Sequence, residues 1–65
     1  MTKEIDANNL KVIKDQMEAE AILTKKYRNM ETQFQDSEIK QLCCNASDLH
    51  KGNLKSLKTY LDSHN

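Results

Sequence analysis

The sequence has no proline, no tryptophan, a single glycine at Gly52 and only two cysteines, Cys43 and Cys44, which are neighbours. Each scarcity excludes a class of structure. With almost no glycine or proline, the chain lacks the residues that punctuate many-stranded sheets, and an all-α fold is expected. Two adjacent cysteines offer no framework of bridges, so a covalent staple is not expected to hold so short a chain. No stretch of about eighteen apolar residues exists, so no membrane span is expected. The opening Met1-Thr2-Lys3-Glu4-Ile5-Asp6 lacks the apolar core of a signal peptide, which leads to the expectation of a soluble, cytoplasmic protein. Ten basic side chains balance ten acidic ones, and no basic run marks a nucleic-acid partner.

Sixty-five residues make one domain at most, and a chain of that size buries too small a fraction of its surface to hold a large core alone. With covalent staples set aside, oligomerisation is the remaining route to stability. The abundant Lys, Glu, Gln, Leu, Met and Ala lose little rotamer freedom in a helix. At ~100° per residue, Ile39, Leu42, Cys43, Ala46, Leu49, Leu54, Leu57, Tyr60 and Leu61 fall within ~80° of one line, which predicts a single helix over 37–62. The stripe keeps its phase across Gly52, so the glycine is read as lying inside the helix rather than as a stop. A first helix is expected over 7–33, with the broader stripe of Ile13, Met17, Tyr27, Met30 and Phe34, after a disordered arm over 1–6. A turn at 34–36 joins them, and Asp36 is placed to cap the second helix, with Glu38 in its first turn.

A turn this short makes the helices antiparallel neighbours, and a lone hairpin leaves half of each stripe wet. Two copies completing a four-helix bundle is therefore the expected assembly, with those residues and Asn53 forming the core and dimer contacts. Val12, Ala19 and Ile22, with the edge at Leu23, form an apolar strip that would suit a partner if dimerisation left it open.

Equal rise on both arms makes facing residues sum to ~71, which sets Glu20 opposite His50. Thr24 and Tyr27 lie one and two turns from Glu20 and bring hydroxyls to the same side. A carboxylate facing an imidazole inside a helical core is either a structural pair or part of a metal site. The structural reading has a clear physical basis, because removing one member of a buried pair strands a charge at a cost of about 3–5 kcal/mol.

The runs Leu23-Thr24-Lys25-Lys26-Tyr27, Asp36-Ser37-Glu38-Ile39, Leu49-His50 and Leu57-Lys58-Thr59-Tyr60-Leu61 resemble the small spore coat proteins of the coat F type in endospore-forming bacteria. That resemblance covers residues 17 to 62 and implies half of a ferritin-like bundle, a homodimer, a place in or near the spore coat, and other coat proteins as partners. It also implies Glu20 and His50 as candidate metal ligands, for zinc or iron. The di-iron pattern asks for a Glu-x-x-His pair, and Ser47 stands where that glutamate belongs. The expected cofactor is accordingly none. No nucleophile with a base, no phosphate loop and no full metal set is present, so a non-enzymatic structural or interaction protein is expected. A ferritin-like metal-binding module and a small regulatory adaptor are the alternatives. Cys43 is read as a small core residue, and Cys44, nearly outward, as a possible redox thiol.

Overall fold

The computed structural model describes residues 5–64. The arm expected over 1–6 lies largely outside the described residues. Two helices, α1 (Ala7–Glu31) and α2 (Ser37–Asp62), pack against each other as a hairpin.

Short polar side chains set the ends of both helices. Asp6 accepts from the Asn9 amide at 2.9 Å, and its second oxygen takes the Asn9 side-chain amide, also at 2.9 Å. Asp36 starts α2 as expected, its Oδ1 accepting from the amides of Glu38 at 2.8 Å and Ile39 at 3.1 Å. At the other end of α1 the helix stops at Glu31, two residues short of the expected 33. The Thr32 hydroxyl donates to the Asn29 carbonyl at 2.7 Å, taking an acceptor that a continuing helix would keep for the Gln33 amide. Gln33 instead bonds back to Met30 at 3.0 Å in a tight turn.

α2 runs unbroken through Gly52, where an added Cβ would meet nothing within 4 Å. Gly52→Ala is therefore expected to stabilise the helix by about 1 kcal/mol, raising the melting midpoint by about 4–8 °C. An unchanged or lower midpoint would show that position 52 is not open space in the folded protein. The C-terminal turn of α2 is closed by His64. Its Nδ1 lies 2.7 Å from the Tyr60 carbonyl, and its ring stacks on Tyr60 with centroids 3.9 Å apart.

The hairpin measures 49 × 19 × 10 Å, one helix thick, and its radius of gyration of 15.0 Å exceeds the ~11 Å expected for a compact domain of this length. Among the described residues only Glu20, Cys43 and Ser47 are fully buried. Cys43 and Ser47 are one turn apart, and their small side chains let the α2 backbone approach α1 closely. Around this narrow seam Ile13, Met17, Tyr27, Met30, Phe34, Ala46, Leu54, Leu57 and Leu61 are half-buried. Leu42, Leu49, Tyr60, Ile39 and Asn53, placed with them by periodicity, are exposed in the single chain, Leu42 by 67% and Leu49 by 61%. The stripe of α2 is thus divided. One edge meets α1 and the other faces out.

Candidate functional site

The centre of the hairpin is held by polar contacts. Glu20, 4% exposed, accepts from His50, whose Nδ1 lies 3.0 Å from Oε1 and 3.3 Å from Oε2. The pairing expected from equal rise on the two arms is therefore the contact formed. One turn toward the loop, Ser47 Oγ donates to the Thr24 carbonyl at 3.2 Å, giving a second bond between the helices. Both contacts join residues whose numbers follow the same rule, so together they pin the register of α2 along α1.

The neighbours expected to extend this network do so differently. Thr24 turns its hydroxyl back to the Glu20 carbonyl at 2.8 Å, inside its own helix. Tyr27 contributes its ring, parallel to the His50 imidazole within 4° at a centroid distance of 5.7 Å, an offset stack that fixes the plane of the imidazole. Ser47 is the partner that the sequence reading treated only as a missing carboxylate. Its signal was present in the pattern: a small polar residue one turn before His50, on the face that meets α1.

The Glu20 carboxyl is held below 4.5, the ordinary glutamate value, chiefly by the hydrogen bond from His50; burial opposes this, and the side-chain amides of Asn53 and Gln16 add to it. A carboxylate with a depressed folded pKa contributes stability that is present in full above the unfolded value and lost as pH falls through the folded one. In thermal melts stepped from about pH 6 to about pH 3, the wild-type midpoint is expected to drop more steeply than that of Glu20→Gln. Parallel pH profiles for the two proteins would remove Glu20 as the group responsible.

A groove of about 300 Å³ lined by Gln16, Glu20, Asn53, Ser56 and Leu57 opens beside the pair on one side of the hairpin. At ~100° per residue, the exposed Val12 on α1 and the exposed Leu42, Leu49 and Tyr60 on α2 project to this same side, with the half-buried Leu23 and Met30. Ile22, 59% exposed, stands instead on the edge of α1 away from α2. The strip expected over Val12, Ala19, Ile22 and Leu23 is therefore split, and Ala19 and Leu23 are half-buried.

Glu20 and His50 do not by themselves make a metal centre. Among the described residues no three His, Cys, Asp or Glu side chains come together to hold an ion. Ser47, at the position a di-iron site gives to glutamate, has its hydroxyl committed to Thr24, and the two candidate ligands are bonded to each other. These residues do not fit a di-iron group. Cys43 is buried and Cys44 half-buried, both as free thiols. No helix among the described residues is long and apolar enough to cross a membrane. No family model, curated protein or solved structure matches the chain.

Proposed function

We propose that this chain is a non-enzymatic structural or interaction protein whose hairpin pairs with a second copy to complete a four-helix bundle. On its resemblance to the coat F proteins, it is assigned to the spore coat of an endospore-forming bacterium, after synthesis in the cytoplasm. The observation that carries the pairing is the open apolar side, on which Leu42, Leu49, Val12 and Tyr60 lie between 45% and 67% exposed. A single layer 10 Å thick leaves these side chains no cover from their own chain. An interaction role also agrees with a polar centre whose groups are engaged with one another rather than with an open reaction site.

The test is the mass of the purified chain in solution. Sedimentation equilibrium is expected to give twice the 7.5 kDa of one chain, and a monomer at every concentration would refute the pairing. Metal content measured on the same sample separates this reading from a ferritin-like one, since a stoichiometric zinc or iron load would favour the latter. The spore-coat assignment is tested separately, by following a tagged copy through spore purification. Recovery in the mother-cell fraction alone would overturn it.

A further inference from the structure

The open side of the hairpin carries more than a tendency to associate: it specifies how a second copy sits on it. The inference rests on the reading that two copies pair, and adds the surface and the direction. The Glu20–His50 and Thr24–Ser47 contacts set which residues of the two helices share a level. By that register Met30 lies level with Leu42, Leu23 with Leu49, and Val12 with Tyr60, while Gln16 lies level with Ser56. Apolar residues of α1 and α2 thus share levels at three heights along the face, and polar ones share a fourth.

We infer that a second copy lies on this face with its turn at the same end, related by a two-fold axis along the hairpin, so that each α2 covers the partner's α1. That symmetry keeps every level in place. Leu42 then meets the partner's Met30, Leu49 the partner's Leu23, and Tyr60 the partner's Val12. The polar groove of one copy closes over that of the other, and the Glu20–His50 pair becomes interior. The opposite arrangement, with turns at opposite ends, exchanges levels about a midpoint. Centred between Leu42 and Leu49 it pairs those leucines but leaves Val12 and Tyr60 beyond the overlap; centred at Leu49 it sets Leu42 against Ser56. Centred at Lys51 it pairs Leu42 with Tyr60 and Val12 with Met30 but sets Leu49 against Asn53, whereas the first arrangement covers Leu42, Leu49, Val12 and Tyr60 all with apolar residues. Both place antiparallel helices beside each other, so helix dipoles do not decide between them.

The surface area fits a second copy. The chain exposes 5278 Å², about a quarter more than the ~4,200 Å² expected of a monomer of 7.5 kDa. The excess is of the order of the ~800 Å² that each partner covers in a standard interface.

Two measurements test this. Leu42→Glu with Leu49→Glu is expected to raise the dimer dissociation constant about a hundredfold or more, because it moves two carboxylates into the interface; Ile22→Glu, on the far edge of α1, leaves the mass at that of a dimer. Spin labels attached to Gln35→Cys, in a background with Cys43→Ala and Cys44→Ser, report the direction. Turns at the same end place the labels roughly 20 Å apart, about two helix spacings, while turns at opposite ends place them about 30–50 Å apart along the axis, according to where the copies are centred. If the labels are far apart, the direction is wrong and the face stands. Dissociation by Ile22→Glu but not by the double variant overturns the face while the homodimer survives, and a wild-type monomer overturns both. A Leu42→Gln, Leu49→Gln pair, checked for helical content by circular dichroism, separates loss of association from loss of folding and is expected to weaken the dimer in the same direction.

Discussion

His50→Leu is expected to lower the melting midpoint by about 10 °C or more, and Glu20→Leu combined with His50→Leu to recover most of that loss. The single substitution takes from the Glu20 carboxylate, 4% exposed, the ring nitrogen 3.0 Å away that is its chief donor, and puts an apolar side chain there with only the Asn53 and Gln16 amides left to offset the charge. A stranded buried charge is far more costly than the net value of the pair that contained it. Replacing both members removes the charge along with its partner and leaves two leucines of fitting character at one level of the seam. The measurement is a double-mutant cycle by thermal melts at neutral pH, where Glu20 is ionised. A double variant no more stable than His50→Leu would show that the contact does not couple the two residues. A second readout concerns specificity: if the pair fixes register, the double variant melts over a broader range than the wild type even when its midpoint is restored, because helices free to slip lose cooperativity.

Ser47→Glu is the second large effect, and it opposes the metal reading directly. The substitution rebuilds the Glu-x-x-His spacing that a ferritin-like site needs. Yet Ser47 is 5% exposed and its oxygen lies 3.2 Å from the Thr24 carbonyl, so a carboxylate there would set acceptor against acceptor inside the buried seam. Overpacking and an unpaired polar group together are expected to destabilise the fold by about 2–4 kcal/mol. Ser47→Ala loses one hydrogen bond and no volume of consequence, and is expected to cost only about 1 kcal/mol. Zinc or ferrous iron is expected to restore nothing to Ser47→Glu. Recovery of the wild-type midpoint with one or two bound ions per dimer would instead show that the hairpin retains the geometry of a metal bundle.

Much of this arrangement was legible in the residues. The level rule placed Glu20 against His50 because two helices joined by a short turn climb at the same rate, and Asp36 announced its cap by type and position. The continuity of α2 followed from phase, since a helix that broke at Gly52 would have rotated Leu54 and Leu57 off the stripe. The stop at Glu31 was not legible, because Thr32 ends α1 through a local hydroxyl bond that leaves no trace in periodicity. The cap supplied by His64 was missed for the same reason. The division of the α2 stripe was hidden more deeply. An apolar arc reaching ~80° to either side of its centre line reads identically whether it meets one neighbour or is shared between two, and only the burial of Cys43 and Ser47 shows where α1 lies. A Ser inside an apolar stripe reads as a defect until its acceptor on the facing helix is known.

The adjacent cysteines turn that close approach into a clock. Cys43 is sealed in the seam at 5% exposure while Cys44, one residue on, is half-buried on the far side of the hairpin from the open apolar face. A thiol reagent added to the native protein meets one sulfur at the rate of its chemistry and the other only when the helices part. The second equivalent of colour therefore appears at the frequency of opening, and its dependence on reagent concentration gives the free energy of that opening. One sequence dipeptide thus supplies, without any label, a stopwatch on the contact between α1 and α2.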